Sequence, residues 1–219
     1  MDAGRTKNFT DILYGVSYAL SKCNSNVDHH IRVLYKLTDI LSSSGTISVS
    51  MIEDSVSNIF DETDTKISTG DVLVYISPVS FYSAYDYDGC IANIVKQICS
   101  IFIDDDALFN IAIEYVRLLH DILFNRITEL DDILLILPEL DINQSEIIVA
   151  SNAHDSFFAG LWSFVFSKSY DDAINRALSF ENCPASIFGI TGALASLYYG
   201  IDSVPLNWIV EFNSKFIEG

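Results

Sequence analysis

The sequence predicts an all-α fold, and three observations carry that expectation. Apolar residues recur with helical spacing in segment after segment, strand-like alternation is scarce, and half of the 219 residues are hydrophobic against 19% charged. A chain of that length and composition can bury a full core, and no Pro/Gly-rich linker, repeat or low-complexity tract divides it, so one domain over residues 1–219 is expected. Ile12, Leu13, Val16, Ala19 and Leu20 fall at i, i+1, i+4, i+7 and i+8, which marks the first amphipathic helix. Ile31, Leu34, Tyr35, Thr38 and Leu41 mark a second, with His29 and His30 at its start, and Ser42-Ser43-Ser44-Gly45 reads as the loop after it. The acidic run Asp61-Glu62-Thr63-Asp64 marks another loop. Val72 to Phe81 is apolar and β-branched but broken by Pro78, and is expected to be an extended buried loop rather than a strand.

Ile91, Ile94, Val95, Ile98 and Phe102 repeat the helical stripe, as do Leu108, Ile111, Ala112, Tyr115, Leu119 and Ile122. Asp104-Asp105-Asp106 places capping oxygens and negative charge at the start of the latter helix. Phe157, Phe158, Leu161 and Val165 form a further stripe, and Ile209, Phe212 and Phe216 another behind Pro205. From Cys183 to Ile201 the chain carries no charge. Its glycines, serines and Pro184, and the lack of a flanking basic cluster, favour a buried central helix over a membrane span.

Thirty acidic against 12 basic residues give a formal charge of −18, which repels phosphate backbones and anionic lipid alike. Neither nucleic acid nor membrane is expected as a partner. Cys23, Cys90, Cys99 and Cys183 form no C-x-x-C pair and fit buried thiols in a reducing compartment. The start of the chain has no apolar run of signal-peptide type, so an intracellular location is expected and the sequons at Asn8 and Asn143 are read as accidental. Glu62-Thr63-Asp64-Thr65 reads as a solvated loop. Asp86-Tyr87-Asp88-Gly89 is no calcium loop, because Val95 stands where a bidentate glutamate is required. His29, His30, His120 and His154 show no zinc-binding spacing, and no serine or cysteine nucleophile motif occurs.

Residues 185–208, ASIFGITGALASLYYGIDSVPLNW, resemble the closing segment of the ADP-ribosylglycohydrolase family, whose members share A-I-A-G-A-L-x-G-A-x-Y-G followed by x-x-I-P-x-x-W. Gly192-Ala193-Leu194, Tyr199-Gly200, Pro205 and Trp208 keep the family spacing. Residues 154–178 resemble the V-D-T-x-x-A-x-W-x-F segment, with Asp155 and Trp162 in register, and residues 69–82 resemble the glycine-turn segment G-N-G-A-x-M-R-V-x-P-x-G. His120 falls where the family tends to have a threonine-histidine pair. The resemblance implies a compact orthogonal multi-helix bundle, shorter than is usual for the family, and a hydrolase that uses two Mg²⁺ to cleave ADP-ribose from an acceptor side chain.

The family's metal carboxylates come from T-D-D-T and G-D-x-D-T, and here both motifs depart from the pattern. The resemblance sets D-x-D-T on Cys183, Pro184, Ala185 and Ser186, so both aspartates are replaced, one by a soft thiol and one by a residue with no donor. T-D-D-T falls near Asn26-Val27-Asp28-His29, where Asp28 survives. The remnant positions are thus Asp28, Asp155 and Ser186, with no metal expected at Cys183 and Ala185. Implied ligand-binding positions are Gly70, Asp71, Tyr75, Ser77 and His120, although Tyr75 stands where the family has arginine and Asp71 brings negative charge to the diphosphate side. The expectation is a catalytically inactive binding or regulatory protein without a cofactor, its partner a basic protein surface or ADP-ribose or a related nucleotide. Two alternatives stand beside it: an active hydrolase that recruits Mg²⁺ through a rearranged site, and a helical scaffold with no nucleotide ligand.

Overall fold

The computed structural model describes residues 9–23, 27–43, 49–61, 66–81 and 90–216. These residues form helices and connecting turns, with no strand among them. Helix α1 spans Phe9–Ser21, α2 Asp28–Ser43, α3 Val49–Asp61, α4 Thr69–Ile76, α5 Cys90–Phe102, α6 Asp106–Leu123 and α7 Asp131–Ile136. Beyond these come α8 (Ala153–Val165), α9 (Tyr170–Leu178), α10 (Ala185–Tyr199) and α11 (Leu206–Phe216). Each predicted stripe lies on a helix, and Asp105 caps α6 by accepting from Leu108 N at 2.8 Å.

The expectation for 72–81 is corrected. Val72 to Ile76 belong to α4, and Ser77–Phe81 tighten into a 3-10 turn. An unbroken apolar run imitates a strand when every face is covered, and Val72 through Ser80 are all buried. The decisive local force is a capping box. Ser68 Oγ accepts from Asp71 N, while Asp71 Oδ2 accepts from Ser68 N at 2.9 Å.

Helix α10 is the axis around which the others pack. It touches α1, α4, α6, α8 and α9, and residues 186–197 are buried without interruption. Small residues permit that density. A Cβ on Gly192 would stand 2.5 Å from Ala19 Cβ and 2.7 Å from the Gly15 carbonyl oxygen, so α1 and α10 cross at a separation only glycine allows. Tyr170 Oη donates to the Gly15 carbonyl at 2.5 Å and ties α9 to the same crossing. At 15 residues α10 is too short for a span, and no helix among the described residues is long and apolar enough to cross a membrane. The segments Glu62 to Thr65 and Asp86 to Gly89 lie outside the described residues, as does Asn26.

Candidate functional site

The N-terminal turns of α4, α8 and α10 meet at one place, the first two with side-chain caps. Asn152 caps α8 by accepting from Asp155 N at 2.9 Å, and Asn152 Nδ2 donates to Asp155 Oδ2 at 2.7 Å. Pro184 precedes α10 in the N-cap position, extended, and offers no side-chain cap. Segments of α4 and α8 are then stitched together. Gly70 N donates to Ser151 O at 2.9 Å, and Ala153 N donates to Thr69 Oγ1 at 2.8 Å.

Two hydroxyls close the junction onto α10. Ser156 Oγ donates to Ala150 O at 2.8 Å and also lies 2.8 Å from Ser186 Oγ. A hydroxyl has one proton to give, and that of Ser156 goes to the Ala150 carbonyl, so Ser186 is the donor within the pair. Both serines are fully buried. Gly70 fills the remaining space from the α4 side, where an added Cβ would collide with Ser156 Oγ and stand 2.5 Å from Ser151 O and 2.9 Å from Ser186 Oγ.

Beside this neutral junction lies an ionisable one. His30, in the first turn of α2, sets Nδ1 2.8 Å from Tyr75 Oη and Nε2 3.8 Å from Asp71 Oδ1. With the ring proton on Nε2 facing the carboxylate, Nδ1 accepts from the Tyr75 hydroxyl. Burial pushes the His30 imidazole down to about 4, with Asp71 pulling the other way and the adjacent His29 adding to the depression. His29, whose ring lies 3.8 Å from that of His30, is also lowered by burial, against the pull of Asp71 and Asp28. Burial holds the Tyr75 phenol well above its ordinary range, and Asp71 adds to it.

The expected residues distribute as follows. Gly70 and Ser186 meet at the neutral junction, and Asp71 and Tyr75 at the ionisable one. Asp28 is the exposed first residue of α2. Asp155 occupies the first turn of α8, with His154 Nδ1 2.9 Å from its Oδ1. Partial burial works to raise its carboxyl, but hydrogen bonds from His154 and Asn152 and the charge of His154 prevail and hold it below the ordinary range. Ser77 is buried on the 3-10 turn and donates to Val74 O at 2.8 Å. His120 is buried in the last turn of α6, its ring 4.5 Å from that of Phe124 and its Nδ1 3.8 Å from Asp121 Oδ1.

Do these residues fit a pair of magnesium ions? Magnesium demands several hard oxygen donors in octahedral array. Asp71 and Asp155 are engaged in helix caps, Ser186 gives its proton to Ser156, and Ala185 has no donor. Burial, with Cys23 adding to it, pushes the Cys183 thiol up to about 12, and sulfur is a soft donor that suits magnesium poorly. Among the described residues no group of three His, Cys, Asp or Glu side chains is placed to hold a metal ion. The set does not fit. Sequence reasoning missed Ser156, Ser151, Asn152 and Thr69, although the spacings Ser68-x-x-Asp71 and Asn152-x-x-Asp155 are legible cap signals.

No protein-family model matches the chain, and no curated protein matches it. A solved structure described as an "ADP-ribosylglycohydrolase-related protein complex" covers 94% of this chain and 93% of its own, with a TM-score of 0.68 and 12% sequence identity. That likeness establishes a shared fold, all-helical and ADP-ribosylglycohydrolase-like.

Proposed function

We propose that the chain is an ADP-ribosylglycohydrolase-fold protein that binds without cleaving, a pseudoenzyme with a binding or regulatory role. One observation carries the reading. Next to Cys183 and Ala185, where the resemblance sets the metal-binding carboxylates, Ser186 at the threonine position is buried, bonded to Ser156 and packed against Gly70. A sealed, uncharged joint between helix ends serves stability rather than cation capture. Cys183 and Ala185 add no hard donor beside it, and Asp28 and Asp155 stand on separate helices, α2 and α8. The partner is then a basic protein surface, with ADP-ribose or a related nucleotide a second candidate.

Thermal melting with ADP-ribose, with and without millimolar Mg²⁺, tests this, alongside an assay for ADP-ribose released from modified arginine or serine. The expected result is a melting curve indifferent to Mg²⁺ and no release. A ligand at a hundred times its Kd stabilises the native state by about 2.7 kcal/mol, which raises the midpoint by roughly 5–10 °C in a domain of this size. A shift of that order with ADP-ribose alone identifies a reader of the nucleotide. A shift that needs Mg²⁺, together with release, returns the chain to the hydrolases and overturns the reading.

A further inference from the structure

Helix α7 presents an apolar pair that the rest of the described chain leaves uncovered. Ile133 is buried and anchors the helix, while Leu135 is 82% exposed and Ile136 69%. Exposed Leu or Ile side chains scattered singly need no explanation, but two adjacent ones at this exposure form a protrusion. Along the chain its flanks carry one sign of charge. Glu129, Asp131, Asp132, Glu139 and Asp141 flank the pair, and no Lys or Arg occurs from Ile127 to Ser167. The field of these carboxylates is felt at the C-terminal end of α10. There Tyr198 Oη donates to Thr128 O at 3.0 Å, and its phenol is raised by burial first and then by Glu129, Tyr199, Asp132 and Asp131.

We infer that the Leu135–Ile136 ridge and its rim of carboxylates form the docking surface for a basic partner protein, one that offers an apolar recess bordered by lysines and arginines. Interfaces are built with an apolar centre and a polar edge, and complementary charge at the edge steers encounter and rejects wrong partners. A second copy of this chain is the wrong occupant, because two such faces would bring like carboxylates together on chains of charge −18. An anionic bilayer is disfavoured for the same reason. This inference rests on the reading of the chain as a binding protein and supplies the surface for its protein partner.

The test uses the full chain and a fluorescein-labelled amphipathic helical peptide of leucine and lysine, with a leucine–glutamate peptide of the same length as its counterpart. Anisotropy should show binding of the lysine peptide that weakens steeply with added salt. The double substitution Leu135→Ser with Ile136→Ser should weaken it about tenfold or more. Leu206→Ser with Val210→Ser, which removes the exposed apolar pair of α11 (74% and 60%), should leave it within about twofold. Both positions of α7 are in solvent, so the melting temperature should not move. If it does, Asp131→Asn with Asp132→Asn supplies the second variant, and it should flatten the salt dependence. Equal losses from the α7 and α11 variants, no loss from either, or equal binding of the glutamate peptide would sink the proposal. So would a dimer in sedimentation velocity that the α7 substitutions abolish, since a second copy would then cover the ridge. Any of these failures leaves the nucleotide reading standing, because that reading is decided by magnesium and ADP-ribose.

Discussion

Two junctions lie side by side at the helix ends around Gly70 and Asp71, and they solve the same problem with opposite chemistry. Around Ser186 three helix N-termini are joined by hydroxyls and carbonyls that cannot titrate. Around His30 a base, a phenol and a carboxylate join α2 to α4, and every member can. The first junction therefore resists changes of pH but has no room for an added atom. The second is built from groups that respond to protons. If that contrast is right, substitutions at the two junctions should differ in kind as well as in size.

The largest effect is expected at Gly70. Gly70→Ala drives a methyl group into Ser156 Oγ and to 2.5 Å from the Ser151 carbonyl, a backbone atom that cannot rotate away. Overpacking of this kind costs about 3 kcal/mol, a fall of roughly 6–12 °C in the melting midpoint. Adding Ser156→Ala removes one of the colliding atoms and should restore part of that loss, with the remainder belonging to the backbone oxygen. Full restoration would place the strain on the hydroxyl alone.

Acidification comes next, and it should act on the other junction. A histidine lowered to about 4 in the folded state takes up its proton in the unfolded state first, at about 6.5. Between those values the unfolded chain binds more protons, so stability falls as the pH drops from about 6.5 to about 4 and loses nothing further from this group below that. The whole span is worth about 3 kcal/mol at most. Denaturant midpoints taken across this range should show the decline, and His30→Gln should remove the His30 share of it, leaving that of His29. Tyr75→Phe leaves Nδ1 of His30 buried without its donor and should cost about 2 kcal/mol at neutral pH.

The same contrast explains what could be read in the sequence. Amphipathic helices such as α2, α5 and α6 announce themselves because one face meets water and the period shows. Helix α4 does not, since Val72-Leu73-Val74-Tyr75-Ile76 has no wet face, and only the Ser68 and Asp71 cap at its edge distinguishes it from a buried strand. Helix α3, with Ile52 and Val56 buried, carries too few stripe positions to have been singled out. At the site, Asp28, Asp155, Ser186 and Gly70 were found through family resemblance rather than through their own chemistry. The pairing of His30 with Tyr75 spans 45 positions, and that of Ser156 with Ser186 spans 30. One chain without covariation holds no signal for either. Apolar periodicity reports which face is inward, whereas contacts between helix ends depend on how whole helices are arranged.

A smaller effect is expected where a hydroxyl is removed without adding volume. Ser186→Ala deletes the donor to Ser156, yet Ser156 keeps its own bond to Ala150 O, so the loss should be about 1 kcal/mol. Because no member of that junction titrates, the loss should be the same at pH 7 and pH 5. A loss that grew on acidification would couple Ser186 to His30 and dissolve the distinction between the two junctions.

The smallest effect is expected at His154, which is 70% exposed while its partner Asp155 is 20% exposed. Solvent screens an ion pair of this kind, and Asp155 also keeps its hydrogen bonds with Asn152, so His154→Ala should cost less than about 0.5 kcal/mol. The carboxyl itself should nevertheless respond. Losing the His154 hydrogen bond and charge lets the Asp155 pKa rise toward the ordinary carboxylate value, which NMR titration of the side chain would register. Since a carboxylate held below its usual range adds stability above that range and loses it as the pH falls through the folded value, the variant should differ from the parent only above about pH 4. A cost well beyond 0.5 kcal/mol would mean that His154 and Asp155 hold the start of α8 in place, and the surface pair would then belong with the two junctions as a third support of these helix ends.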